Sequence, residues 1–299
     1  MNLRKLAALQ IKKHPRLVKK IKKLAREVSP DTVVVLDYPV HSRQRWDYNN
    51  PHQKLYDSIN KNREHYKSVL RTFLPLAKYL TAIPERQTGS RISNEPYWIN
   101  GMMPALDGVA LYGFIATYKP KIFMEVGSGN STKFARKAIA DHALDTKIVS
   151  IDPCPCADVN EICDEIIRRP VEDVDVHMFD RLNKNDVLYI DNSHRVFMNS
   201  DATAVFLDIM PRLRQGVMVE IHDVTLPYDY PAEWVNRYYS EQYLLAAYIL
   251  ARGNIFEIIL PNMFISHDDE LKNILAPLWE TERLKNVETH GCSFWARMQ

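Results

Sequence analysis

No apolar run in this 299-residue chain approaches the roughly 20 residues that a membrane-spanning helix needs, and lysines interrupt every apolar group near the N-terminus. Neither a spanning helix nor a secretory leader is expected, and the expected location is the cytoplasm. Cysteine is scarce. Cys154, Cys156, Cys163 and Cys292 read as reduced thiols rather than a disulfide framework. The first three lie close together, but no second CxxC and no histidine pair completes a tetrahedral zinc set. Net charge is also small, +2, which argues against a general nucleic-acid binder. Its distribution is uneven: residues 1–28 carry ten Lys/Arg against one acid, Glu27, for +9, and the remainder carries −7.

What is present is strand and helix in alternation. With 46% hydrophobic residues, the chain can bury one sizeable α/β core and a smaller appended region. Pro15 opens an expected helix with Leu17, Val18, Ile21, Leu24, Ala25 and Val28 on one face. Lys19, Lys20, Lys22, Lys23 and Arg26 cover the other. Such a basic amphipathic helix suits packing on its own domain first, and after that peripheral contact of residues 1–28 with an anionic membrane surface or an acidic partner. Residues 33–36 read as a short strand, 39–51 as an ordered loop and 54–80 as helix broken near Pro75. The expected division is a mostly helical N-terminal region over 1–104, with 84–104 as connection, followed by the main domain over 105–299.

The stretch Phe123-Met-Glu-Val-Gly-Ser-Gly-Asn-Ser-Thr132 reads as a buried strand, a tight turn and a helix start. Residues 121–126 are apolar enough for a central strand, Gly127 and Gly129 permit torsions that side chains forbid, and Ser131 or Thr132 can cap a helix over 133–140. About twenty residues on, a strand over 147–151 ends in Asp152, placed to accept hydrogen bonds from a ribose. A pyrophosphate calls for a third glycine, where Thr132 stands, and for no nearby acid, whereas Glu125 precedes the first glycine. That acid repels a diphosphate and attracts the ammonium of a methionine moiety, which favours S-adenosylmethionine over NAD.

The alternation continues through a polar helix over 157–165, a third strand at 166–168, and a fourth at 186–190 ending in Asp191-Asn-Ser-His194. A helix over 201–210 and a strand over 217–221 follow, the latter ending in His222-Asp223. Another helix, over 242–251, precedes strands at 255–260 and 292–298. The fold class expected is α/β, a doubly wound Rossmann-like sheet of about seven strands with the last inserted antiparallel beside the fifth. Ligands of such sheets sit beyond the carboxyl ends of the central strands, so Gly127–Thr132, Asp152, Asp191–His194 and His222-Asp223 are expected to converge.

Four segments, Glu125-Val-Gly-Ser-Gly-Asn-Ser-Thr, Ile190-Asp-Asn-Ser-His-Arg-Val-Phe, Ile221-His-Asp-Val-Thr-Leu-Pro and Tyr228-Asp-Tyr-Pro, carry a family likeness. Together they resemble a bacterial group of class I S-adenosylmethionine-dependent methyltransferases related to the methyltransferase 24 family. The resemblance implies a cofactor site of Glu125, Gly127, Ser128, Gly129, Asn130, Ser131, Thr132, Asp152 and Asp191, with Glu172 toward the adenine. It also makes Trp98, Asn100 and Asp107, ahead of the glycine loop, pocket candidates.

For a hydroxyl acceptor, His194 beside Asp191 is the expected general base, with His222 the second catalytic candidate. By position Asp191, His222 and Asp223 also resemble the divalent-metal triad of catechol-type O-methyltransferases. A metal-free site is favoured, because His222 stands where those families carry an oxygen ligand and Mg²⁺ prefers oxygen. Beyond the fifth strand, Tyr228-Asp-Tyr-Pro231, Glu233-Trp234 and Arg237-Tyr-Tyr239 suit a sugar or glycan acceptor, and equally a contact within a homo-oligomer. The expected function is O-methylation of a sugar, glycan precursor or related small molecule. The alternatives are a non-catalytic S-adenosylmethionine-binding module of a membrane-associated assembly, and a metal- or NAD-dependent oxidoreductase using the same crevice.

Overall fold

The structure, a computed structural model, describes residues 14–28, 34, 38, 40–87, 94–155, 157–251 and 255–299. It divides into two compact units, Met1–Arg43 and Gln44–Gln299. In the first, helix α1 (Pro15–Val28) leaves Leu17, Ile21, Leu24 and Val28 exposed. The strand expected at 33–36 falls largely outside the described residues.

The second unit opens with helices α2 (Gln53–Asn60), α3 (Arg63–Phe73) and α4 (Ala77–Leu80). Their apolar residues Leu55, Ile59, Tyr66, Leu70, Phe73 and Leu80 enter the same core as the sheet. Asn62 Nδ2 donates to the Ile258 carbonyl at 3.1 Å, and Arg63 forks onto Asp268. The compact units divide after Arg43, and among the described residues these helices share their core with the sheet.

Helix α5 (Ala105–Tyr118) is apolar almost all round and is buried continuously from Ala105 to Ala116, as a helix without a polar face must be. It leads into β1 (Ile122–Val126), α6 (Asn130–Asp141), β2 (Lys147–Ile151), β3 (Glu165–Ile167) and β4 (Val187–Ile190). After α7 (Asp201–Ala204) come β5 (Met218–Ile221), α8 (Glu241–Leu250), β6 (Phe256–Pro261) and β7 (Phe294–Met298). The sheet order is β3-β2-β1-β4-β5-β7-β6; β1 to β5 pair in parallel, and β7 runs antiparallel between β5 and β6. This is the expected seven-stranded Rossmann-like sheet with its late antiparallel insertion. Strand order reverses between β1 and β4, which is where such a sheet opens its ligand crevice.

Three local expectations are corrected. Residues 157–165 form only a short 3₁₀ turn at Asn160–Ile162 before β3. The helix expected over 201–210 passes from α7 into a π-turn at Val205–Ile209 and a 3₁₀ turn at Met210–Arg212, since Pro211 has no amide to continue the α-ladder. Helix α6 begins at Asn130 because the Gly129 amide donates to Thr132 Oγ1 at 3.1 Å, closing the first turn before 133.

Candidate active site

The crevice is built from the loops after β1, β2, β4 and β5. Gly127 holds φ +82°, and a Cβ there would lie 1.7 Å from the Asp191 carbonyl oxygen, so only glycine lets the loops after β1 and β4 touch. Asp152, at the end of β2, accepts from the Ser128 amide through Oδ2 and from the Cys154 amide through Oδ1, both at 2.7 Å. Its carboxylate is thereby fixed at the mouth of the glycine turn, with lone pairs left for a ligand hydroxyl.

Glu125 lies fully buried under the turn. Ser131 Oγ and Thr132 Oγ1 each donate to one of its oxygens. Burial is the largest influence on its carboxyl and carries its pKa up to about 8 against those two hydrogen bonds. Glu125 thus offers a ligand the shape of the loop and not the free charge expected of it. Ser128 Oγ meets Ser150 Oγ at 2.6 Å, and Arg168 reaches Ser150 Oγ and the Asp152 carbonyl at 3.0 and 3.2 Å. Asn130 opens α6, while Glu172 sits in a 3₁₀ turn, Val171–Asp173, after β3.

Beyond β4 and β5 the chemistry changes. His194 and Asp223 both hold left-handed backbone, at φ 57° and 53°, a conformation that costs non-glycine residues on the order of 1 kcal/mol. His194 is 3% exposed, with Nδ1 3.0 Å from Glu241 Oε2 and Nε2 3.2 Å from Asp191 Oδ1. Asn192 locks this arrangement by accepting from the His194 amide at 2.7 Å and donating to Glu241 Oε1 at 2.9 Å. Burial works against a charged ring, but the two flanking carboxylates outweigh it and push His194 up to about 10. Burial likewise raises Glu241, against the pull of His194. Asp191, whose side chain keeps 41% of its surface exposed, is held below the usual carboxylate range by His222 and His194 in spite of its lost hydration.

At neutral pH His194 therefore keeps its proton. It anchors Asp191 with a positive charge. His222, 3% exposed, has Asp107 Oδ2 3.5 Å from Nε2, and Asp223 Oδ1 and Asp191 Oδ1 at 3.6 and 3.7 Å from Nδ1, and makes a proper hydrogen bond to none of them.

Trp98 and Asn100, two of the other pocket candidates, are held by protein contacts. Trp98 is buried against Phe134, with Nε1 donating to the Leu80 carbonyl, and Asn100 Oδ1 caps the Met102 and Met103 amides. The aromatic loop does approach the site, since the Tyr239 ring is 4.7 Å from His194. Its faces are largely occupied: Tyr230 packs on Trp234, Tyr239 and Tyr243, and the Arg237 guanidinium lies 4.4 Å over Trp234. Sequence reasoning missed Glu241, which lies 47 residues from His194 with no motif to join them, and the closeness of Cys292 to this cluster. A separate cavity of about 280 Å³, lined by Leu106, Ile265, Leu271, Trp279 and His290 among others, contains none of the expected site residues.

With this geometry in place, comparison with known proteins locates the catalytic domain. A family model described as a methyltransferase domain, Methyltransf_24, matches residues 124–224, from the middle of β1 to just past β5. The chain carries a class I S-adenosylmethionine-dependent methyltransferase domain.

An uncharacterized protein of Archaeoglobus fulgidus is 33% identical over 95 residues, covering 30% of this chain and 43% of that protein, less than half its length. Among solved structures, the plantazolicin methyltransferase BpumL with a monoazolic desmethyl-plantazolicin analog and S-adenosylhomocysteine (SAH) is 14% identical, with TM-score 0.42 and coverage of 97% of this chain and 99% of that one. The Podospora anserina methyltransferase PaMTH1 bound to SAH is 14% identical, with TM-score 0.38 and coverage of 87% and 100%.

The methyltransferase domain's residues fit its cofactor. Gly127 leaves backbone room at the switch point, Asp152 is pinned at the β2 end, and the carboxylates of Asp152 and Asp191 suit a ligand that carries positive charge at both its sulfonium and its ammonium.

Proposed function

We propose that the protein transfers the methyl group of S-adenosylmethionine to an oxygen of a small hydroxyl-rich acceptor, a sugar, glycan precursor or related molecule. The carbon–sulfur bond breaks as the carbon–oxygen bond forms, the sulfonium becomes a thioether, and the hydroxyl proton passes to the Asp191 carboxylate and on to solvent. The observation that carries this reading is Asp191, a partly exposed carboxylate at the end of β4 whose own carbonyl abuts Gly127 of the glycine turn. One residue thus borders both the cofactor loop and the acceptor side. In-line transfer depends mainly on such positioning. Asp191 is suited to take the hydrogen bond of the acceptor hydroxyl, and the His194 imidazolium, itself held by Glu241, fixes Asp191 for that task. Because the aromatic faces nearby are occupied by one another, support for a sugar rests on these carboxylates more than on stacking.

Calorimetric titration with S-adenosylmethionine and SAH, with NAD as control, tests the cofactor half. Methyl-labelled S-adenosylmethionine with a panel of hydroxylated acceptors tests the other. Label in a methyl ether, lost in Asp191→Asn, supports the proposal; binding of NAD in place of both adenosyl ligands would sink it.

Contact of residues 1–28 with an anionic membrane belongs to the same proposal. It is supported by the exposed Leu17, Ile21, Leu24 and Val28 on a helix whose other face is lysine. Co-sedimentation with phosphatidylserine vesicles that is unchanged in Ile21→Glu would remove it. Self-association is likewise proposed, on the exposed Tyr238 of the aromatic loop, and a sedimentation profile of monomer alone would end it.

A further inference from the structure

Asp107 is the only charged residue in α5, and it is fully buried. Its Oδ1 accepts from Asn262 Nδ2 at 2.7 Å and from the Ser293 amide at 2.9 Å, while Oδ2 accepts from the Cys292 amide at 2.9 Å. The segment ahead of β7 is pressed onto this carboxylate, since a Cβ on Gly291 would lie 2.4 Å from Asp107 Oδ1. That packing brings in Cys292, whose Sγ is 3.4 Å from Asp107 Oδ2, and His222, whose Nε2 is 3.5 Å from the same oxygen. One ligand atom from each of the three residues lies within 4.8 Å of the other two, and all three residues are buried.

We propose that Asp107, His222 and Cys292 bind a divalent transition metal of the zinc type. The observation that turns a polar cluster into a ligand set is the imidazole of His222. It is 3% exposed, yet neither ring nitrogen has a hydrogen-bond partner. The ring is held only by ion-pair contacts of 3.5, 3.6 and 3.7 Å to Asp107, Asp223 and Asp191, and no protein group completes a hydrogen bond at either nitrogen among the described residues. A cation in the space bounded by Nε2, Asp107 Oδ2 and Cys292 Sγ removes that deficit. Nδ1–H is then turned toward the carboxylates of Asp223 and Asp191, at 3.6 and 3.7 Å, the outer contact that metal-bound histidines usually make.

The spacing agrees. Metal–ligand bonds of about 2.0–2.3 Å in tetrahedral array put neighbouring ligand atoms about 3.3–3.8 Å apart. The Cys292–Asp107 and His222–Asp107 edges of the triangle measure 3.4 and 3.5 Å. Ligand type selects the ion: one thiolate, one imidazole and one carboxylate suit Zn²⁺ or Co²⁺ and do not suit Mg²⁺. Asp223 Oδ1, 3.3 Å from Cys292 Sγ, stands beside the fourth position. Asn262 and the Ser293 amide hold Asp107 in place from behind. This site differs from the Asp191, His222, Asp223 triad expected from the sequence, sharing only His222, and it stands without the methyl-transfer reading.

The test is spectroscopic and uses the full chain with Cys154, Cys156 and Cys163 changed to Ser, so that Cys292 is the sole cysteine. Titration with Co²⁺ is expected to saturate at one equivalent, with a near-ultraviolet thiolate-to-cobalt band and tetrahedral visible bands. Zn²⁺ should displace it, and X-ray absorption of the zinc-loaded protein should show one sulfur at about 2.3 Å with nitrogen and oxygen at about 2.0 Å. Cys292→Ser in that background should lose the charge-transfer band, and His222→Gln should weaken cobalt binding at least tenfold. An all-nitrogen/oxygen shell on the folded parent protein, or no binding below millimolar metal, overturns the proposal with no need of a variant that might not fold.

Discussion

The two sides of the crevice are built on opposite principles. On the β1–β2 side polar groups are paired: Glu125 with two hydroxyls, Asp152 with two amides, and Ser128 with Ser150. On the β4–β5 side pairing is uneven: His194 is held between Glu241 and Asp191, while other buried groups make no hydrogen bond. Among the described residues, neither His222 nitrogen nor the buried Tyr189 hydroxyl on β4 has a hydrogen-bond partner. The same register row links them, since Ser150, Glu125, Tyr189, Glu220 and Trp295 are successive cross-strand neighbours from β2 to β7. A saturated network fixes a shape, whereas an unsaturated one waits for a ligand, water or ion. On the proposed function, the first side would cradle the cofactor and the second would face the acceptor.

The sharpest way to break this comparison is to remove a buried charged pair on the reactive side. Glu241→Ala strips His194 of a buried partner, and breaking such a pair costs about 3–5 kcal/mol. Urea denaturation should show that loss with an unchanged slope. A loss under about 1 kcal/mol would mean that His194 is not held as a buried ion. Next in size is the cradle. Gly127→Ala places a methyl on the Asp191 carbonyl at a positive φ, and SAH binding should weaken about 100-fold, near 2.8 kcal/mol. An affinity within threefold of the parent would show that the loops after β1 and β4 are free to part.

A pH comparison separates the two sides further. His194 has its pKa raised to about 10 in the folded chain, above the unfolded value near 6.5. A raised value means that the stabilisation is complete below the unfolded pKa and is lost as pH climbs through the folded one. Stability should therefore fall between about pH 7 and pH 10. In His194→Gln that fall should shrink, a difference of a few degrees in melting temperature. Parallel curves for the two proteins would place the proton elsewhere.

What could be read in advance follows the same divide. Residues 123–132 announce strand, turn and helix because local rules suffice: apolar run, permissive glycines, capping hydroxyl. The sheet order was also legible, since alternating strands and helices leave few topologies. The reactive side was legible only in part. Asp191, His194, His222 and Asp223 stand at strand ends, but their partners Glu241, 47 positions from His194, and Asp107 and Cys292, which meet across 185 residues, carry no motif that joins them. Burial was equally invisible. Glu125 looked like a charge offered to a ligand, and nothing in its neighbours shows that Ser131 and Thr132 fold back onto it.

Glu125 supplies the smallest and most discriminating test. Its pKa of about 8, set by burial, makes the carboxyl largely neutral at pH 6, so Glu125→Gln is nearly isosteric and should change stability there by no more than about 1 kcal/mol. A raised folded pKa again means stabilisation complete below the unfolded value near 4.5 and lost as pH rises through about 8. The wild-type chain should therefore weaken between pH 5 and pH 8 by more than the Gln variant, which has no proton to lose. If Glu125 instead faced the cofactor as a free charge, the variant would bind SAH many-fold more weakly and leave the pH curve untouched. Measuring both quantities on one variant distinguishes a carboxyl that shapes the cradle from one that touches its ligand.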